Sequence, residues 1–179
     1  ATSQVYRYDV KTGKGSQFGK PGLLSHINTS PDEKYSVVKI IEKPFSRTVP
    51  VNLFAHRYEL WDSSGKFLKV LAQIPAGEEI PIEGVKEGMR NPFWQKMRPA
   101  TMCWIEALDG GDPNRAADFR DVIMAHDAPF ESSPREVIKL PMRYSGLDHL
   151  ERENLALAWD YDRDTRWIKA RLIDMSRSN

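Results

Sequence analysis

The sequence predicts an all-β fold of consecutive four-stranded antiparallel sheets, arranged as the blades of a β-propeller. Four short apolar-alternating runs each end in an aspartate that is suited to starting a turn, at Asp9, Asp62, Asp127 and Asp174. These aspartates recur at intervals of about 47 to 65 residues, and four antiparallel strands in about 40–50 residues are typical of a propeller blade. We therefore expect about three blades, and no more helix than a single turn at residues 116–121 or 145–151.

The chain opens on a blade remnant, residues 1–20, which is expected to supply the last two strands of one unit. The next segment, residues 21–75, has the pattern of a whole blade. Its Ser-Pro-Asp turn joins the first two strands, because Pro fixes φ and Asp bonds to the backbone beyond it. The four strands are predicted at residues 24–28, 36–41, 58–62 and 67–74.

A second whole blade is predicted over residues 91–141, and an incomplete blade with three strands over residues 143–179. Their strands are predicted at residues 91–94, 101–107, 122–127, 135–140, 145–148, 155–161 and 170–174. The insertions at residues 43–54 and 75–90 are rich in Pro, Gly and charge, so we expect them in loops.

One partial propeller domain is therefore predicted over residues 1–179. Propellers close with typically 4–8 blades, and three open blades would leave two bare sheet edges. We expect the chain to be a piece of a longer protein, or its edges to be covered by another copy.

Composition excludes several classes of partner. The chain has 179 residues and a formal charge of +1, with 26 basic and 25 acidic side chains interleaved. This balance predicts neither nucleic-acid binding nor attraction to an anionic membrane. No apolar stretch approaches the ~20 residues that span a bilayer. Cys103 is the single cysteine and is expected inside a strand, and the sequence leaves the cellular compartment open.

The sequence offers no catalytic motif. It contains no Gly-x-Ser-x-Gly, the pentapeptide that places a hydrolase serine on a strained elbow. The glycine-rich stretch at residues 13–19 only approaches a P-loop, because Lys20 is followed by Pro21 and not by Ser or Thr. We interpret this stretch as a polar turn and predict no catalytic residue.

The sequence also predicts no metal or cofactor. The alternating aspartates at residues 160–164 resemble a calcium loop, but Thr165 stands where Gly is needed and Arg171 where Glu is needed. Glu78 and Glu79 would point to opposite sides of an extended backbone. The histidines lack metal-ligand spacing: His26, His56, His126 and His149. The tryptophans are expected to pack in the core: Trp61, Trp94, Trp104, Trp159 and Trp167.

Several short motifs, taken in order, resemble a known family. They are Glu-Lys-Pro-Phe-Ser at residues 42–46, LFAHRYELWD at 53–62, Gly-Glu-Glu-Ile-Pro-Ile at 77–82, Pro-Ala-Thr at 99–101 and Glu-Ala-Leu-Asp-Gly-Gly-Asp-Pro at 106–113. Together they resemble the N-terminal propeller of glutamyl endopeptidase-like members of the prolyl oligopeptidase family of serine peptidases. The resemblance covers nearly the whole chain.

The resemblance implies a longer protein in which a propeller caps an α/β-hydrolase domain that carries the Ser, Asp and His triad. None of that triad maps onto this sequence. The chain would therefore be non-catalytic and would gate or position peptide substrates for the hydrolase domain, its expected partner. We expect the loops at residues 43–54 and 75–90 to face that domain or line the entrance, with the substrate-contacting residues left open.

Two other function classes remain open at this stage. The chain could be a stand-alone propeller-like module that binds a protein or carbohydrate and closes by self-association through its open blade edges. It could also be an enzyme whose site the motifs do not reveal.

Overall fold

A computed structural model describes residues 2–152 and 154–178, and over these residues the fold is all-β, as predicted. The described residues form thirteen strands in four antiparallel sheets, with one short 3₁₀ helix and no α-helix. Neither residues 116–121 nor residues 145–151 are helical. The second of these segments lies largely within a strand. None of the described segments is a helix that could cross a bilayer. The division into blades stays a prediction.

The chain divides into two compact units, one ending at Glu78 and the other starting at Glu79. In unit 1 a two-stranded sheet precedes a four-stranded sheet whose strands follow chain order. The strands are β1 (Ser3–Tyr8), β2 (Gly15–Gly22), β3 (Leu24–Thr29), β4 (Tyr35–Ile41), β5 (His56–Asp62) and β6 (Phe67–Ile74), with the 3₁₀ helix (Val51–Leu53) before β5.

Unit 2 has a four-stranded and a three-stranded sheet, again in chain order. Its strands are β7 (Arg90–Trp94), β8 (Thr101–Ala107), β9 (Asp121–Asp127), β10 (Arg135–Leu140), β11 (Arg143–His149), β12 (Leu155–Asp162) and β13 (Trp167–Asp174).

Aspartates end strands by binding the backbone of the turn that follows. The Asp62 carboxylate accepts hydrogen bonds from the backbone N–H groups of Ser64 and Lys66. Gly65 completes this turn at φ 83°, a left-handed conformation that favours glycine. Asp9 does the same before β2, accepting from the backbone N–H of Lys11. These local bonds explain why the hairpins could be predicted from sequence.

The core of unit 1 forms where β2 packs on the four-stranded sheet. Phe18 of β2 and Trp61 of β5 are buried with ring centroids 6.0 Å apart, beside Val38 of β4. Gly19 has φ 69°, and a Cβ there would collide with the Trp61 ring. Glycine at this position therefore lets the two sheets approach.

The two sheets of unit 2 share one larger core. Its members are the buried side chains of β8, β9, β10, β12 and β13 together with Met175: Cys103, Ile105, Ile123, Ala125, Val137, Leu140, Ala156, Ala158, Ile173 and Met175. Cys103 is fully buried, and this burial raises the pKa of its thiol to about 12. The thiol therefore stays protonated at neutral pH.

The tryptophans divide between core and surface. Trp61, Trp94 and Trp104 are buried and Trp159 is half-buried. Trp167, the first residue of β13, is 66% exposed, so the prediction of a core role is wrong for this residue.

Replacing Ile123 with Ala should destabilise unit 2 by about 2–5 kcal/mol, because it removes a fully buried side chain from the shared core and leaves a cavity. Ile82, which is 88% exposed in the same unit, provides the matched control. Its replacement by Ala should change the free energy of unfolding by less than about 0.5 kcal/mol. Urea denaturation followed by circular dichroism measures both variants, and equal effects would contradict this placement of the core.

Candidate functional site

Five charged residues meet at one end of the two sheets of unit 2. Arg90, Asp121 and Arg143 are the first residues of β7, β9 and β11. Asp109 follows the end of β8, and Arg120 directly precedes β9. Antiparallel pairing places the starts of β7 and β9 and the end of β8 at the same end of the four-stranded sheet. The side chain of Arg143 reaches this end from the three-stranded sheet. We refer to these five residues as the Arg–Asp cluster.

Arg143 is the centre of the cluster. Its Nη2 donates to both carboxylate oxygens of Asp109, at 2.8 and 2.6 Å. Its Nη1 donates to Oδ1 of Asp121 at 2.9 Å and to the backbone carbonyl of Arg120 at 3.0 Å. One guanidinium therefore joins β11 to β9 and to the loop after β8.

The two aspartates are fully buried and have further partners. Asp109 also accepts from Nη1 of Arg120 at 2.8 Å and from the backbone N–H of Gly111. Asp121 also accepts from Nη2 of Arg90 and from the backbone N–H of Tyr144. Such extensive hydrogen bonding offsets the cost of burying the two carboxylates.

The cluster carries one more positive than negative side chain. Arg90, Arg120 and Arg143 keep 13%, 24% and 16% of their side-chain surface exposed. Burial alone would raise the pKa of Asp109, but hydrogen bonds from Arg143 and Arg120 outweigh it and hold the pKa below its ordinary value. Asp109 is therefore ionised at neutral pH.

A loop, residues 79–89, is fastened beside the cluster. The backbone N–H of Val85 donates to the carbonyl of Gly111 at 2.9 Å. Gly111 has φ 75°, and a Cβ there would collide with the carbonyl of Val85. Glu83 forms an ion pair with Arg163 in the turn between β12 and β13. These contacts hold the loop at residues 79–89 against the residues that follow β8 and the turn that follows β12.

Unit 1 carries a second long loop, residues 43–54, between β4 and β5. Phe45 and Phe54 stack within it with ring centroids 5.8 Å apart, and the Lys43 ammonium lies 5.8 Å from the Phe45 ring. Phe45 is 46% exposed and Val51 is 60% exposed. The loop thus presents apolar surface to solvent.

An open groove of about 1180 Å³ lies at the other end of unit 1. One wall is formed by β1 and the turn after it, and the other by β3 and its turn at residues 30–33. Tyr6 and Tyr8 border the groove and are 56% and 65% exposed. The groove combines aromatic, hydroxyl and charged side chains.

The acidic residues that the sequence analysis weighed as metal or catalytic candidates do not come together in one site. Asp160 is buried and accepts from Nη1 of Arg171 and the backbone N–H of Met142, while Asp162 binds the backbone of its own turn. Glu78 and Glu79 are both exposed. Over residues 2–152 and 154–178 no three His, Cys, Asp or Glu side chains are grouped as metal ligands.

Of the four histidines, His26 is exposed on β3, and the other three are buried or half-buried. His56 and His126 are buried, and Nδ1 of His56 lies 2.9 Å from the carbonyl of Phe54. His126 packs edge-on against Phe130. Burial lowers the pKa of His149, and Lys96 lowers it further, so this imidazole is neutral at pH 7.

Sequence reasoning missed the Arg–Asp cluster. Its members are separated by up to 53 residues, from Arg90 to Arg143, and form no motif. The adjacent pair Arg120 and Asp121 before an apolar run was the one local signal. A buried aspartate at the start of a strand needs a positively charged or hydrogen-bonding partner, but the sequence does not indicate which residue supplies it.

Comparison with known proteins gives two relatives that share most of this chain. The protein named "Probable glutamyl endopeptidase, chloroplastic" from Oryza sativa subsp. japonica is 35% identical over 176 residues, 94% of this chain and 19% of the relative. The protein of the same name from Arabidopsis thaliana is 32% identical over 163 residues, 89% of this chain and 16% of the relative. The chain thus spans less than a fifth of either relative.

The similarity to proteins named glutamyl endopeptidase, predicted from the sequence, is confirmed. No protein-family model matches the chain.

Replacing Arg143 with Met should destabilise unit 2 by about 3–5 kcal/mol, because it leaves Asp109 and Asp121 buried with one cation fewer. Arg152, an exposed residue of the same unit, supplies the control variant Arg152→Met, which should change stability by less than about 0.5 kcal/mol. Urea denaturation compares the two, and a mild effect of Arg143→Met would mean that the cluster is dispensable.

The low pKa of Asp109 makes stability depend on pH. Its stabilising contribution is complete above the unfolded-state pKa of about 3.9 and is lost as the pH falls through the lower folded-state pKa. Unfolding free energies measured from about pH 6 down to about pH 2 should fall less steeply for Asp109→Asn than for the unchanged chain. Asp118→Asn, at an exposed position in the same loop, is the control. Parallel pH profiles for the unchanged chain and Asp109→Asn would refute this role.

Proposed function

We propose that the chain is a non-catalytic β-propeller segment of a prolyl oligopeptidase-like serine peptidase. Its role is to position peptide substrates, or limit their access, for a hydrolase domain outside the chain. The observation that carries the proposal is the 32–35% identity to proteins named glutamyl endopeptidase over about nine-tenths of this chain.

The sheet arrangement supports the propeller assignment. Each four-stranded sheet is antiparallel with its strands in chain order, which is the architecture of a propeller blade. The two-stranded sheet before them and the three-stranded sheet after them read as parts of two further blades. Within each unit the two successive sheets pack on each other, and successive four-stranded sheets that pack in this manner form the ring of a propeller when enough of them are present.

The absence of a nucleophile elbow from the sequence supports a non-catalytic role. An α/β-hydrolase needs Gly-x-Ser-x-Gly between a strand and a helix, and the sequence has no such pentapeptide. The chain's similarity covers less than a fifth of each relative. The peptidase chemistry is therefore assigned to a hydrolase domain beyond this segment.

The long loops are the parts of the segment best suited to meet substrate or the hydrolase domain. In unit 1 the loop at residues 43–54 exposes Phe45 and Val51, two apolar side chains that suit contact with a protein or peptide. In unit 2 the loop at residues 79–89 is held at Gly111 and Arg163. Ordered loops on a rigid scaffold are where binding residues concentrate.

Shortening the loop at residues 43–54 in a full-length peptidase that carries this segment should change kcat/KM for long peptides several-fold. The value for a very short chromogenic substrate should stay within about twofold, because a small substrate does not need gating. The point variants Phe45→Ser and Val51→Ser test the same surface without altering chain length.

Replacing the β5–β6 turn at residues 63–66 with another tight turn is the matched control, because this turn lies at the opposite end of the same sheet. This control variant should leave kcat/KM unchanged both for long peptides and for the very short substrate. Equal kcat/KM values for all substrate lengths in every loop variant would refute the gating role.

A further inference from the structure

Glu42 is the residue at which the chain leaves the sheet of unit 1 and enters the loop at residues 43–54. Its backbone N–H donates to the carbonyl of Ala55 at 2.8 Å, one step beyond the last paired residues of β4 and β5. This bond extends the antiparallel ladder by one residue on each strand. Because side chains alternate along a strand, the Glu42 side chain lies on the same face as those of Ile40 and Arg57.

The Glu42 carboxylate joins three strands on this face. Its Oε1 accepts from Nη1 of Arg57 on β5 at 2.8 Å, and its Oε2 accepts from Nε2 of Gln73 on β6 at 3.2 Å. Arg57 and Gln73 are opposite each other in the ladder between β5 and β6. The two carboxylate oxygens therefore bind two different strands, while the backbone of Glu42 continues β4. We refer to Glu42, Arg57 and Gln73 as the loop clamp.

The loop clamp is connected to the core of unit 1. Nε of Arg57 donates to Oε1 of Glu59 at 2.6 Å, and Nε1 of the buried Trp61 donates to Oε2 of Glu59 at 2.7 Å. The hydrogen bond to Glu59 raises the pKa of the Arg57 guanidinium and outweighs the opposite effect of burial. Because Glu59 and Glu42 bind two different nitrogens of one planar group, the direction of Arg57 is fixed. The position of Glu42 is thus set by bonds that lead back to Trp61.

The loop is held at its two ends by different bonds. Near its end the backbone N–H of Gly77 donates to the carbonyl of Leu53 at 2.8 Å. At its start the loop clamp holds Glu42, which lies three residues before Phe45. Phe45 stacks on Phe54 but remains 46% exposed, and such an aromatic pair contributes only about 0.5–1.5 kcal/mol. The direction of the first part of the loop therefore depends on Glu42.

Unit 2 holds its own long loop in a similar way. The loop at residues 108–120 joins β8 to β9, the second and third strands of their sheet, as residues 43–54 join β4 to β5. Asp109, at the start of this loop, accepts from the guanidinium groups of Arg120 and Arg143. In both units an arginine therefore binds a carboxylate at the point where a long loop leaves the sheet.

We propose that Glu42 is a positioning residue. Through Arg57 and Gln73 it sets the direction in which residues 43–54 leave the sheet, and it thereby holds the exposed apolar side chains of this loop where they contact long peptides. The last step rests on the proposed function, in which this loop acts on peptide substrates. Glu42 acts through the loop and not by touching the substrate itself.

Trypsin cleavage of the 179-residue chain measures the order of the loop directly. Arg47 is exposed in the loop, and Lys66 is exposed in the β5–β6 turn at the opposite end of the same sheet. In Glu42→Ala the rate of cleavage after Arg47 should rise on the order of tenfold, because two hydrogen bonds to a charged group are lost. The rate after Lys66, read from the same digest by mass spectrometry, should stay within about twofold.

Two further variants test whether the effect comes from the loop clamp. Gln73→Ala removes an exposed donor, and when combined with Glu42→Ala it should add little, since both act through one carboxylate. Glu33→Ala is the matched control, because it removes an exposed ion pair with Arg7 at the turn before β4, at the other end of the sheet. This control variant should leave the rate of cleavage after Arg47 unchanged.

The kinetic readout uses a full-length peptidase that carries this segment. Glu42→Ala should raise KM for long peptides several-fold and leave kcat within about twofold, because contacts with the loop bind the substrate and the transition state equally. Glu42→Gln keeps an oxygen that can accept from Arg57, so its KM should lie between those of Glu42→Ala and the unchanged enzyme. KM for a very short chromogenic substrate should not change in either variant.

Three outcomes would overturn the proposal. Cleavage after Arg47 could be unchanged in Glu42→Ala, or it could rise together with cleavage after Lys66, which would make Glu42 a residue that only stabilises unit 1. KM for long peptides could also stay unchanged although the loop is released. If shortening the loop still changes kcat/KM in that case, the proposed function stands and the role of Glu42 fails. If shortening the loop has no effect either, the gating role itself fails.

Discussion

The fold depends on one constraint: its central strands carry apolar side chains on both faces. In β8 the neighbouring residues Met102, Cys103, Trp104 and Ile105 are all buried, although successive side chains point to opposite sides. A sheet with two apolar faces is stable only when other structure covers both. In unit 2 this constraint brings the four-stranded and three-stranded sheets together over a shared core, and it explains why sheets in this chain occur in succession.

The Arg–Asp cluster is the polar counterpart of that packing. Apolar faces attract without direction, so they do not define how one sheet is turned relative to its neighbour. Arg143 supplies direction, because its planar guanidinium binds Asp109 and Asp121 in fixed geometry. Buried ion pairs of this kind add little net stability over apolar packing but penalise arrangements that separate their members. We infer that the cluster holds the loops at residues 79–89 and 108–120 in a fixed position relative to the sheets of unit 2.

Features set by local sequence could be predicted, and features set by distant residues could not. Hydrogen bonds between residues close in sequence form the aspartate turns, the hairpins and the Ser-Pro-Asp turn. The turn from Asp62 to Lys66 could therefore be predicted from its own residues, Asp62 and Gly65. The core role predicted for Trp167 was wrong, because an aromatic residue in an apolar run does not reveal whether anything covers its side of the sheet. The Arg–Asp cluster depends on strands brought together by the fold.

The buried position of Cys103 gives this protein a natural reporter. It is the single thiol in the chain, it lies in the shared core of unit 2, and burial raises its pKa to about 12. A thiol reagent needs an exposed thiolate, so Cys103 reacts only during moments when unit 2 opens. The labelling rate under native conditions therefore reports the opening of this unit without any engineered probe, since unit 1 has no cysteine.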